Sequence, residues 1–254
     1  MELPSEGLEE RLREVASYLE FLRSIERATM SGPPRIVGSV DTITAEQQRI
    51  LYSSVFLQLY SVVEATITRC LDFVTVATFD SRKPKPGELN ARLRRVWVQE
   101  VARTHIDLTP MHRLDSALVL CDHLVGQLPV PSFKISKGAG NWDDSEIEAI
   151  TKRLGCTLAV PHEAFRAAKR PFRNDKNALA LIKSLRNQLA HGEISFAQCS
   201  EGVTVEELER LTNLTSDYLK GVAASFEIYV ASEGFMHDPD PGAVTDPEPE
   251  DVAA

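Results

Sequence analysis

Three observations on this 254-residue chain predict an all-α protein. Its apolar residues recur three and four apart, and no stretch alternates as a set of paired strands would. Capping pairs open several of the periodic runs: Thr44 with Gln47, Asp143 with Glu146, and Thr204 with Glu207. The runs are divided by segments rich in Pro and Gly, such as Lys83-Pro84-Lys85-Pro86-Gly87 and Leu128 to Gly140.

Taken in order, Leu8 to Thr29 carries Leu12, Val15, Leu19, Leu22 and Ile25 at helical spacing, and Ser31-Gly32-Pro33-Pro34 stops it. Thr44 starts a long apolar helix expected to reach Thr78. Gln58, Glu64, Arg69 and Asp72 interrupt its apolar surface, so it reads as a buried helix and not a membrane span. Further helices are expected from Glu88 to His105, from Met111 to Val125, and from Asp143 to Leu154. Residues 155–171 give no clear signal beyond one helical turn. Asn177 to His191 forms an amphipathic helix, and residues 192–203 a loop. A last helix runs from Thr204 to about Ser232. The tail from His237, with Pro239, Pro241, Pro247 and Pro249 and little apolar surface, is expected to be disordered. The expected organisation is an N-terminal amphipathic helix and linker over 1–44, a helical domain over 45–236, and the tail over 237–254.

Hydrophobic content of 43% with 26% charged residues suits a soluble globular chain. No charged and apolar leader opens the sequence. Cys70, Cys121, Cys156 and Cys199 are scattered without ligand spacing, so reduced thiols in a cytoplasm are expected, and no metal or cofactor. The net charge of −9 argues at first against nucleic acid. The tail alone holds six acids and no Lys or Arg, which leaves −3 for everything else. Arg82 to Arg113 and Lys152 to Arg186 are locally basic, and phosphate contacts need only a local patch.

The segment Arg186-Asn187-Gln188-Leu189-Ala190-His191, followed by Gly192, carries the chemistry. At about 100° per residue, Ala178, Leu181, Ile182, Leu185 and Leu189 share one face, and Lys183, Arg186, Asn187, Ala190 and His191 the other. Gly192 suits the left-handed position after a helix end, so His191 falls in the last turn, where the helix dipole favours positive charge. A proton-exchanging imidazole near a fixed cation fits phosphodiester cleavage or binding. The same residues are also ordinary choices for a helix C-terminus. Glu64, a carboxylate in an otherwise apolar helix, is expected to pair with Arg186 or to orient His191, the alternative being an exposed strip with Tyr60. Rival chemistries lack their residues: no Cys-x-x-Cys accompanies His162 and Glu163, no GxxxxGK[ST] occurs, and Gly138-Ala139-Gly140 lacks a third glycine and a strand.

Leu185 to Glu193, followed by Ser195-Phe196, resembles the signature end of a HEPN domain, the higher-eukaryote and prokaryote nucleotide-binding superfamily, as found in stand-alone bacterial HEPN-like ribonucleases. Gly140-Asn141-Trp142-Asp143 through Lys152-Arg153-Leu154-Gly155, Thr204 to Leu208, and Leu59 to Glu64 are similar to its other motifs, over roughly 45–232. The resemblance implies a HEPN-like helical bundle that dimerises and cuts RNA without a metal, often as a toxin or in phage defence, with an antitoxin or defence protein as possible partner. Arg186, Asn187 and His191 would then be catalytic, Glu64 supporting, and Lys183 and Tyr60 possible RNA contacts. Members that only bind RNA, a nucleotide or a partner protein also exist, so the resemblance leaves both activities open.

Overall fold

Helices joined by loops make up the chain among the described residues, with no strand beyond two isolated bridges. The computed structural model describes residues 2–35, 38, 41–102, 109–137 and 140–236. The acidic tail from His237 and the expected helix end at His105 lie outside them.

The centre is α2 (Ala45–Thr75), which continues as one wide π-helical stretch over Val76–Arg82. The expected capping box starts it: Thr44 Oγ1 accepts from the Gln47 N–H at 3.2 Å, and Gln47 Oε1 accepts from the Thr44 N–H at 2.8 Å. Its Val55, Phe56, Leu59, Val63 and Ile67 are buried against α1 (Pro4–Thr29) and α9 (Val205–Ala231). By length and composition this helix could cross a membrane, yet 56% of its apolar window is buried inside the bundle. α1 starts a turn before Leu8, because Pro4 suits the first helical position and Glu6 accepts the Leu3 N–H. Its Leu8, Val15, Leu19 and Leu22 join the same core cluster as α2 and α9, so the N-terminal helix shares one core with the rest of the bundle.

After a short 3₁₀ turn at Pro86–Glu88 come α3 (Ala91–Ala102) and α4 (Pro110–Val125), then α5 (Asp144–Leu154). Asn90 knots three elements together. Its Nδ2 donates to Leu154 O, Tyr229 Oη and Gly234 O, and its Oδ1 accepts from the Leu93 N–H. Residues 162–169 form a helix, α6 (His162–Lys169), where the sequence offered one turn at most; Ala168 is buried and Phe165 packs on the core. Gly221 of α9 admits this connection, since a Cβ there would lie 2.9 Å from Val160 Cα. α7 (Ala178–Ala190) packs on α2, and the expected loop after it contains one short helix, α8 (Phe196–Cys199), opened by the Ser195 and Gln198 capping pair.

Candidate functional site

α7 begins and ends as its sequence demands. Asn177 Oδ1 accepts from the Ala180 N–H at 2.9 Å, which caps the first turn. At the other end Gly192 has φ +71°, and its N–H and that of Glu193 return to Leu189 O and Gln188 O. Ala178, Leu179, Leu181 and Ile182 are buried, whereas Lys183, Arg186 and Asn187 are half-buried and His191 is exposed. The polar face expected from the sequence is therefore present.

A strap of irregular chain, Gly140 to Asp143, organises that face. Gly140 takes the left-handed φ of +63°, and its carbonyl accepts the Tyr60 hydroxyl of α2 at 3.0 Å. Asn141 Oδ1 accepts from Asn187 Nδ2 at 3.2 Å, and Asn187 Oδ1 in turn accepts from Arg186 Nη1 at 2.9 Å. The Arg186 guanidinium lies 4.5 Å from the Tyr60 ring centroid, a cation–π contact. Among the described residues no carboxylate pairs with Arg186. A guanidinium has five N–H donors, and Arg186 is held by its face and one edge, so donors remain for a phosphate.

Asp143 serves two elements at once. It caps α5 by accepting from the Glu146 N–H at 3.0 Å and the Ser145 hydroxyl at 2.6 Å, and its other oxygen takes Lys183 Nζ at 2.7 Å. Burial works against its charge, but the hydrogen bonds from Lys183, Ser145 and Glu146 outweigh burial and hold the carboxyl below the usual carboxylate range. One residue on, buried Asp144 binds Asn177 Nδ2 at 3.0 Å and Lys169 at 2.5 Å, with Glu148 on the same ammonium at 2.5 Å. The start of α5 is thus tied to both α6 and α7.

This geometry also places Glu64, Tyr60, Lys183 and Asn187. Glu64 makes no ion pair with Arg186 or His191 among the described residues. The cation sits one turn away over the Tyr60 ring, and Glu64 lies half-buried between Tyr60 and Thr68, which binds Lys137 at 2.7 Å. Tyr60 is 3% exposed and supports Arg186 instead of facing solvent. Lys183 already carries the Asp143 carboxylate. Asn187 spends both amide ends on Arg186 and Asn141, so it fixes the guanidinium. Arg186 and Asn187 are joined by a hydrogen bond, with His191 at the exposed end of the same helix. Asn141 and Asp143 were visible as part of a motif and a helix cap, but nothing in their local sequence announced the contact with α7. The basic run 152–186 is partly consumed as well: Lys169, Arg173 and Lys183 are ion-paired, and Arg153 donates to Ser136 O.

The described residues thus form an all-α bundle in which a strapped guanidinium and amide precede an exposed imidazole at one helix end. Residues 3–235 match the family model described as MAE_28990-like HEPN, and the chain belongs to that family. The match takes in α1 together with the rest of the bundle. No curated protein and no solved structure matches the chain.

Proposed function

We propose that the protein is a metal-independent endoribonuclease that acts as a homodimer in the cytoplasm, in a toxin–antitoxin or phage-defence setting. The observation that carries this reading is the held Arg186 guanidinium, with donors to spare, on the same helix end as an exposed His191. RNA brings its own nucleophile. The 2′-OH attacks the adjacent phosphorus, the bond to the 5′-oxygen breaks, and the products are a 2′,3′-cyclic phosphate and a 5′-hydroxyl. One imidazole takes the 2′-OH proton and another gives a proton to the leaving oxygen, each transfer worth roughly 10²–10⁴-fold. Arg186 supports this chemistry by holding the non-bridging oxygens as charge builds on them. A single chain offers one such imidazole, so two α7 ends about a two-fold axis make the complete site. The test is cleavage of single-stranded RNA in excess chelator by the wild type, by Arg186→Ala and by His191→Ala. Dependence on added metal, or activity that survives either substitution, overturns the mechanism.

One observation favours a second reading, a HEPN module that binds RNA, a nucleotide or a partner protein without cutting. Among the described residues nothing hydrogen-bonds the His191 side chain, so no neighbour within the chain fixes its tautomer. Under that reading RNA binding is lost in Arg186→Ala while no product forms at any protein concentration.

A further inference from the structure

We infer that the outer face of α4 is a contact between two copies of this chain, with the helices side by side and parallel. α4 differs from every other long helix in the bundle: it buries no residue. Ser116, Leu120 and His123 are its half-buried side chains, and the last two rest on the core and on Trp97 of α3. The opposite side carries Met111, Leu114, Leu118, Cys121 and Val125, spaced three, four, three and four. Met111 is 65% exposed, Leu114 and Leu118 each 52%, and Val125 85%. That spacing is the seam of a two-stranded coiled coil. Thr109 caps the helix and Pro110 opens it, so its sixteen residues are locally well started. A helix of that length gains little stability alone, which makes a bare apolar face costly to leave in water.

The occupant follows from area and charge. With Leu124 and Leu128 beside it, the stripe offers roughly 500 Å² of apolar surface, more than half of the ~800 Å² that each partner gives to a standard interface. Polar neighbours would supply the rim. Asp115 and Asp122 flank the stripe on one side, and α4 holds Arg113 as its single Lys or Arg, so the helix carries a net negative charge. An anionic lipid surface is therefore a poor match. A second copy matches because an isologous contact needs a surface complementary to itself, and a seam of this spacing is that. Antiparallel pairing would set the two Asp115 and Asp122 rows against each other. Parallel pairing sets each row beside Ala117 and Leu124 of the other helix and brings the two Cys121 thiols together.

This contact goes beyond the proposed ribonuclease reading, because α4 rests chiefly on α3 and the 86–88 turn. Cys121 is the exposed cysteine among four, the others being buried, so it reports the geometry directly. The experiment treats the reduced full chain with a short bismaleimide and follows its sedimentation at tens of micromolar. The expected result is a covalent dimer that Cys121→Ser abolishes. Leu118→Glu should halve the sedimenting mass, weakening association at least ~100-fold, with unchanged far-UV circular dichroism. Ile228→Glu, a change of equal character at an exposed site of α9, should leave the mass alone. A monomeric wild type, an unchanged mass in Leu118→Glu, or an assembly that does not cross-link at Cys121 each overturns the inference. Capture of a different protein by this face from a monomeric chain would do the same.

Discussion

Replacing Asp143 by asparagine isolates the ion pair that fastens the strap to α7. Asparagine caps a helix about as well as aspartate, so the bond from the Glu146 N–H persists. What is lost is the charge facing Lys183 at 2.7 Å, in a pair whose side chains are only 13% and 23% exposed. A charge-assisted hydrogen bond in such a place contributes about 1.5–3 kcal/mol, and the amide keeps part of it, so the expected loss is about 1–2 kcal/mol. In a domain of this size that lowers Tm by about 2–8 °C. Asp143→Ala removes the cap as well and should cost about 1 kcal/mol more. The pH dependence has a definite sign. The carboxyl titrates lower in the folded chain than in the unfolded one, so its contribution is complete above the unfolded value of 3.8. It is lost as pH falls through the folded value. The gap between wild type and Asp143→Asn should therefore be constant near neutrality and close in acid below that value. Urea melts of both proteins at pH 7 and at successively lower pH measure it. A variant as stable as wild type at neutral pH, or a gap that does not shrink in acid, would refute this account of the strap.

Further outcomes follow from the same geometry. Asn90→Ala removes the cap of α3 and three donor contacts at a site 1% exposed, and should cost about 3 kcal/mol, read as a fall in Tm of about 6–12 °C. Tyr60→Phe keeps the ring beneath Arg186 and loses only the bond to Gly140 O, so RNA cleavage or binding should stay within a few-fold of wild type while stability falls by about 1 kcal/mol. Tyr60→Leu removes the cation–π contact and should lower RNA cleavage or affinity about tenfold, a difference that titration of fluorescent single-stranded RNA would detect. Gly221→Ala drives a methyl group against Val160 and should lower Tm by several degrees with no change in RNA affinity, as paired melting and binding curves would show.

What the sequence made legible was what neighbours within four residues decide. Thr44, Asp143 and Thr204 all cap the helices they precede, and Gly192 adopts the left-handed conformation its place required. The division of α7 into a buried side and a polar side was equally visible, because it depends only on the helical period. The partners of the polar side were not. Glu64 looked like the natural mate of Arg186 by charge, yet the guanidinium rests on Tyr60, a turn away on the same helix. That choice depends on where the strap crosses α2, and the strap is placed by Tyr60, Asn187 and Lys183 from elements 40 or more residues away in sequence. α6 went unread for the same reason. Its short run of alanines and one phenylalanine becomes a helix by packing on α9 past Gly221, and no cap announces it.

Ribonuclease activity in this protein depends on whether the exposed His191 imidazole at the end of α7 moves protons. The measurement is single-turnover cleavage of single-stranded RNA in excess chelator, comparing wild type with His191→Ala and Arg186→Ala at equal folded concentration. The account predicts products with 2′,3′-cyclic phosphate ends from the wild type, and rates lowered at least ~100-fold in each variant. Wild-type cleavage that appears only with added metal, or a His191→Ala protein as fast as the wild type, would contradict it.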